Sequence, residues 1–363
     1  MRAIRVALVC ILGFGSLAKA QTNFFIQDIH VNPDSSVTIS WPAVPQISYH
    51  VMFADSPTGM WQNLLDGTVM AGSNVFSLGY TDTNSLAITQ RFYRIRKTRA
   101  QLIMALVLDR SGSMGCEPPC GSGGGMVLPA TVASFIGNFD DTADKVAMSS
   151  FGSTATLDVP MEQPFKSDII AAAPGTAQDA GRTFAEGGLM IGFNQVKNAP
   201  VPPGQTAVKV IVFFTDGYAN TFQTNFNCST TPLNLGQDDP NFGGPWSYEF
   251  MDPAGGSDPP CSSTTFPSID GSTKTISSLN QNVWNEGQLH ALSVANQIRS
   301  ANILIYSIGV GNGLNQDFLR NIANDPAGSM YNANQISGEA VFAPGPSQLQ
   351  AVFDTIASKL LYQ

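Results

Sequence analysis

The sequence predicts an α/β protein: a doubly wound, mainly parallel sheet preceded by a small antiparallel β-sandwich. Three observations carry this. The runs QLIMALVL at 101–108 and VKVIVFFT at 208–215 are apolar almost throughout, as strands covered on both faces must be. Strands then alternate with helical stretches, an order that lays parallel strands beneath covering helices. Ahead of both, residues 24–97 show short alternating runs broken by turn residues, with almost no helical period. A chain of 363 residues that is 43% hydrophobic can build one large core or two unequal ones. Only 12% of it is charged, while Gly (34) and Pro (23) are plentiful, which excludes a coiled coil and a charge-rich disordered chain.

Residues 1–20 have the three parts of an export signal. Arg2 and Arg5 are the basic start, Val6 to Leu17 the apolar stretch, and Ala18-Lys19-Ala20 the small-x-small cleavage site. The stretch is too short for a comfortable membrane span, and no second long apolar run follows. Cys10 lies inside it without a lipobox. The whole chain has 18 basic and 27 acidic residues, and removing the segment takes away three bases and no acid. The mature chain is then expected to be acidic and soluble, secreted, periplasmic or at the cell surface. An acidic chain repels phosphate backbones, so nucleic acid is excluded as a partner. Four cysteines remain, Cys116, Cys120, Cys228 and Cys261, an even number that favours two disulfides in an exported protein. They can pair locally, 116 with 120 and 228 with 261, or cross to tie the two regions together. Four-thiolate zinc ligation is a third arrangement.

The β segment, 21–98, places Val37, Ile39 and Trp41 on one face of a strand, and Tyr49, Val51 and Phe53 on one face of the next. Tyr93 and Ile95 point inward later on. NPDSS (32–36) and SPTG (56–59) supply turns. The order SWPAVP, SYHVMFADSPTGMWQNL, YTDTN, QRFYRIRK resembles fibronectin type III-like modules of exported bacterial proteins. That resemblance implies a spacer or docking module without chemistry of its own. Arg91, Arg94, Arg96, Lys97 and Arg99 read as the solvated face of an edge strand entering a linker.

The α/β segment, 99–363, is read as strands at 101–108, 145–151, 154–159, 208–215 and 303–310, with helices near 126–138, 167–172, 184–197, 286–300, 315–323 and 347–361. The last helix sets Leu349, Val352, Phe353, Ile356 and Leu360 on one stripe. Ligands of such sheets bind beyond the carboxyl ends of the strands. There the sequence reads Asp109-Arg110-Ser111-Gly112-Ser113, one carboxylate and two hydroxyls on a tight loop. Oxygen donors of this kind suit a hard divalent cation. A second carboxylate, Asp216, follows the second apolar strand, and Thr183 stands at a helix start, where its hydroxyl serves as a ligand or as an N-cap.

Together ALVLDRSGSM, GRTFAEGGL and VKVIVFFTDG resemble the von Willebrand factor A (VWA) domain and its metal-ion-dependent adhesion site. KVAMSSFGSTATL and ILIYSIGVGNGLNQDFLRNIA extend the resemblance over nearly all of 101–363. It implies a VWA/Rossmann-like fold in which Ser111, Ser113 and Thr183 supply hydroxyl oxygens, and Asp109 and Asp216 hold the ion directly or through water. The ion would be Mg²⁺, or another divalent cation such as Mn²⁺ or Ca²⁺. It would be completed by an acidic side chain of a protein partner. One departure is a stretch of 68 residues, 218–285, rich in Asn, Ser, Thr, Pro and Gly, where a short strand-to-helix loop belongs. It is either a partner-specific lid or a surface loop.

Other chemistry fits less well. GSGGG (121–125) lacks the ending of a phosphate loop, and the glycines after 308 lack the second half of a dinucleotide fingerprint. None of His30, His50 or His290 sits in a nucleophile context. Asp140-Asp141 and Asp238-Asp239 read as caps or loop acids. The expected function is cation-dependent protein binding in adhesion or surface assembly, without enzymatic activity. A metal-stabilised scaffold and a metal-dependent hydrolase are the alternatives, the latter with Glu186 as its one candidate base.

Overall fold

The computed structural model describes residues 5–6, 26–43, 48–57, 60–71, 75–83, 90–98, 100–115, 122–176, 181–201, 207–238, 247–257, 259–311 and 314–361. The chain divides into two units, Met1–Ala100 and Gln101–Gln363. Of the proposed export segment only Arg5 and Val6 are described, paired in parallel with Gln90 and Arg91; the rest lies outside the described residues.

The first unit contains β1 (Arg5–Val6), β2 (Asp28–Val31), β3 (Val37–Pro42), β4 (Ser48–Ala54), β5 (Gln62–Met70), β6 (Ser77–Asp82) and β7 (Gln90–Thr98). They form two sheets, β2-β3-β6 and β1-β7-β4-β5, antiparallel except at the β1–β7 pair. The alternation in sequence has the expected result. Val37, Ile39 and Trp41 from one sheet meet Tyr49, Val51 and Tyr93 from the other in one core, with Phe53 and Ile95 partly buried against it. The basic run departs from its reading. β7 lies between β1 and β4, and Arg91 is no solvated residue: it pairs with buried Asp82 at 2.6 Å and lies over the Phe53 ring. The Tyr93 hydroxyl also donates to Asp82, at 2.7 Å.

The second unit runs β8 (Gln101–Asp109), α1 (Gly112–Gly115), α2 (Gly124–Gly137), β9 (Lys145–Phe151), β10 (Ala155–Glu162), α3 (Lys166–Ala172), α4 (Ala185–Asn198) and β11 (Ala207–Thr215). After these come β12 (Thr221–Thr224), β13 (Leu233–Gln237), β14 (Tyr248–Met251), β15 (Thr265–Pro267), β16 (Thr273–Thr275) and α5 (Asn282–Ser300). The chain closes with β17 (Leu304–Val310), α6 (Gln316–Ala323), β18 (Glu339–Ala343) and α7 (Pro346–Leu361). Six strands make one sheet in the order β10-β9-β8-β11-β17-β18, parallel except for β10 at one edge.

Side-chain alternation along the central strands divides the core in two. Leu102, Met104, Leu106 and Leu108 of β8 pack with Leu128, Phe135, Leu349 and Phe353 of α2 and α7. Ile103, Ala105 and Val107 pack with Leu189, Phe193, Val294, Ile298 and Leu319 of α4, α5 and α6. The sheet is therefore covered on both faces, as two uninterrupted apolar runs require. Gly192 lets α4 sit close: a Cβ there would lie 2.6 Å from Val107 Cγ2. From β8 the chain moves toward one edge and from β11 toward the other, so these adjacent strands form the switch point of the sheet.

The stretch after Gly217 is no irregular surface loop. It folds into a three-stranded sheet, β12-β13-β14, and the hairpin β15-β16. Phe222, Phe226, Leu233, Leu235, Phe250, Phe266 and Ile276 form its own core, shared with Val283 of α5. Cys228 and Cys261 are joined by a disulfide with a Cα separation of 5.4 Å. That excludes crossed pairing and four-thiolate zinc; Cys116 and Cys120 lie outside the described residues. Helix α5 begins at Asn282, four residues before its predicted start, and β18 completes an edge the sequence reading lacked. No helix among the described residues is long and apolar enough to cross a membrane.

Candidate metal centre

The carboxyl ends of β8 and β11 carry the two predicted carboxylates. Asp109 is the last residue of β8 and is fully buried. The chain then turns sharply, because the Ser111 N–H donates to Asp109 Oδ1 at 2.7 Å. This brings the Ser111 and Ser113 hydroxyls within 3.2 Å of each other. Ser113 Oγ donates to Asp216 Oδ1 at 2.7 Å. Four of the five predicted residues are thus one hydrogen-bonded cluster, built from segments more than a hundred residues apart.

Thr183 joins through the backbone. The Gly112 N–H donates to the Gly181 carbonyl at 2.9 Å, and the Thr183 N–H to Asn220 Oδ1 at 2.7 Å. Its N-cap role is not realised: α4 starts at Ala185 with Phe184 at the cap position. Thr183 itself is buried.

Two further hydroxyls escaped the sequence reading. Thr215 Oγ1 donates to Asp109 Oδ2 and accepts the Gly217 N–H at 3.1 Å. Ser122 Oγ donates to Asp216 Oδ2 at 2.6 Å and accepts the Gly124 N–H, opening α2. Thr215 had a signal, a hydroxyl directly before the candidate Asp. Ser122 had none, sitting in a glycine-rich run.

The electrostatics follow from the burial. Desolvation pushes the Asp109 carboxyl up to about 7, and the nearby charge of Asp216 adds to the shift. Burial likewise raises Asp216, against the hydrogen bonds from Ser122 and Ser113. No base among the described residues offsets either carboxylate. Among the described residues no three His, Cys, Asp or Glu side chains are placed to hold a metal ion together. The cluster is instead two carboxylates completed by hydroxyls, an all-oxygen donor set of the hard-cation type. Two buried carboxyl groups with no cationic side chain beside them among the described residues fit a divalent ion.

Of the remaining candidates, Glu186 is engaged elsewhere. It accepts the Gln223 N–H at 2.9 Å and lies 3.0 Å from His290 Nδ1. Asp141 accepts the N–H groups of Phe165 and Lys166 at the start of α3, and Asp238 pairs with Arg182.

Solved structures share this architecture. The PilB minor pilin from Streptococcus sanguinis aligns with 95% of this chain and 80% of its own, at 16% identity and a TM-score of 0.52. A point mutant of the same pilin aligns with 94% of this chain and 80% of its own, at 16% identity and a TM-score of 0.50. The vWF domain of the type V pili tip protein Mfa5 from Porphyromonas gingivalis covers 72% of this chain and 96% of its own, at 16% identity and a TM-score of 0.47. What is shared with the pilin is the α/β fold, a mainly parallel sheet covered by helices. At such identities the likeness speaks to fold alone. No protein-family model matches the sequence, and no curated protein matches it.

Proposed function

We propose that the chain is a divalent-cation-dependent protein-binding module of adhesion or surface assembly. The observation that carries this reading is the buried Asp109–Asp216 pair at the sheet's switch point, linked through Ser111 and Ser113 and with no cationic side chain offsetting it among the described residues. Asp109, Ser111, Ser113, Thr183 and Asp216 would hold Mg²⁺, or Mn²⁺ or Ca²⁺ in its place. When bound, the ion would supply a local positive charge to which an acidic group of a partner protein could dock. The chain's own residues do the rest: Thr215 and Ser122 orient the two carboxylates, and Ser111 and Ser113 turn their hydroxyls between them.

Residues 1–20 would direct export, and 21–98, read as fibronectin type III-like, would space the 99–363 VWA unit from its attachment. The Cys228–Cys261 disulfide supports an oxidising destination outside the cytosol. A role as an enzyme is not favoured, since Glu186, the one candidate base, is held by Gln223 and His290. The scaffold alternative shares the metal site and differs only in partner capture.

The test is calorimetric titration of the full chain with Mg²⁺ and Mn²⁺, beside Asp109→Ala, followed by capture of cell-surface protein in Mg²⁺ or EDTA. Cation binding that disappears in the variant, together with capture that EDTA abolishes, supports the proposal. Equal binding by the variant would overturn the site assignment. Capture indifferent to EDTA would leave the scaffold reading in its place, and hydrolytic turnover would overturn the binding reading.

A further inference from the structure

The loop that carries Thr183 is held from two sides. On the sheet side, Gly112 N–H donates to the Gly181 carbonyl at 2.9 Å, and Arg182 N–H donates to Ser153 Oγ at 3.0 Å. On the insertion side, Thr183 N–H donates to Asn220 Oδ1 at 2.7 Å, and Asn220 N–H returns to the Thr183 carbonyl at 3.2 Å.

The side chain between these backbone ties is the strongest link. Arg182 reaches onto the β12-β13-β14 sheet and pairs with Asp238 of β13's end at 3.1 Å and with Glu249 of β14. Its side chain is only 10% exposed, whereas Asp238 and Glu249 are 47% and 46% exposed. β13 makes room for it: a Cβ on Gly236 would lie 2.3 Å from Arg182 Cδ. A buried guanidinium held by two carboxylates is costly to leave unpaired, so the loop and the insertion's sheet are set together.

We infer that Arg182 is the positioning residue through which the insertion's sheet sets the Thr183 loop, making cation affinity at Asp109 and Asp216 depend on how the insertion is docked. This rests on the cation reading above. Charge alone predicts the opposite sign for the decisive variant. Deleting a positive side chain near a cation site tightens cation binding by simple electrostatics. Deleting a positioning residue weakens it.

The experiment uses the full chain, Mn²⁺ as probe, and two readouts: Mn²⁺ affinity by calorimetry, and hydrogen exchange in peptides spanning Gly112 and Thr183. Arg182→Gln is expected to weaken Mn²⁺ binding by about tenfold, as for the loss of one charge-assisted hydrogen bond. Exchange should rise at both peptides while β8 and β11 stay protected. The pair Asp238→Asn with Glu249→Gln should reproduce both effects, and should add little once Arg182 is gone. Equal or tighter Mn²⁺ binding with unchanged exchange in Arg182→Gln overturns the inference. If Arg182→Gln loses protection across the whole sheet, the Asp238→Asn/Glu249→Gln protein, which keeps Arg182, decides by exchange at the Gly112 and Thr183 peptides, since charge alone would also weaken its Mn²⁺ binding: raised exchange there supports the inference and unchanged exchange overturns it. A wild-type chain that binds no Mn²⁺ sinks the cation reading alone; the exchange data then still support or overturn the role of Arg182 in setting the loop.

Discussion

In EDTA, with no divalent cation available, Asp109 is a buried carboxyl whose proton is held up to about 7 by desolvation and by Asp216. The same carboxyl in the unfolded chain loses its proton near pH 4. Between those values the unfolded chain binds fewer protons than the fold, so stability falls as pH rises through the window from about 4 to about 7. A gap of about three pH units is worth about 4 kcal/mol at its upper end. The perturbation is Asp109→Asn, which keeps the shape and cannot ionise. Asn turns an NH₂ toward one of the two donors, Thr215 or Ser111, at a cost of about 1 kcal/mol. At pH 4, where wild type has lost less than the cost of Asn, the chelated variant should therefore melt slightly below wild type. At pH 8 it should be the more stable of the two by about 3 kcal/mol, or about 6–12 °C for a domain of this size. Scanning calorimetry of the 101–363 transition in EDTA, from pH 4 to 8, checks this. Millimolar Mg²⁺ should then raise wild type at pH 8 and leave Asp109→Asn where it was. Parallel melting curves for the two proteins across the whole range, with no crossing, would refute the idea of two uncompensated buried carboxylates.

Other outcomes test the parts around the site. Ser122→Ala frees Asp216 Oδ2 of its donor and should weaken Mn²⁺ binding several-fold in a calorimetric titration, with the melting temperature nearly unchanged. Reducing Cys228–Cys261, or changing both to Ser, reopens a loop of 33 residues; chain entropy puts this at about 4 kcal/mol, read as faster hydrogen exchange in β12–β14 and a lower melting temperature. Glu286, fully buried, accepts from Ser268 Oγ, the Ile269 N–H and Lys274 Nζ. Glu286→Ala should cost about 2–4 kcal/mol by leaving the Ser268 hydroxyl and the Ile269 N–H without their acceptor and Lys274 with Asp270 alone, seen as protease cutting at the β15–β16 hairpin before the main sheet melts.

What the sequence made legible follows from how far each residue's signal reaches. β8 and β11 announce themselves because both faces are covered, so every position must be apolar. Asp109 and Asp216 then stand out as the first carboxylates past a buried strand. Ser122 could not stand out, since its bond to Asp216 spans 94 positions. The insertion was hidden for another reason. Its strands are short, and β13 reads LNLGQ, whose Asn and Gln look like loop residues. Both are buried and satisfied over long range: Gln237 donates to the carbonyls of Ser277 and Asn280 and accepts the Trp284 N–H, while Asn234 donates to the Ser153 carbonyl.

The early start of α5 has the same cause. Val283 packs into the insertion's core and Trp284 lies 5.1 Å from the Tyr218 ring, so the first turn's apolar face is turned to the insertion and breaks the stripe that the sheet-facing part displays. A polar-looking segment that supplies its own core, a disulfide and partners for Ser153, Thr183 and Arg182 is built into the fold rather than laid over it. Its placement matters for function because those three partners flank the loop of Thr183, while Asp109 and Asp216 hang from the rigid central strands. The Thr183 side is therefore the part of the site that the insertion is positioned to set.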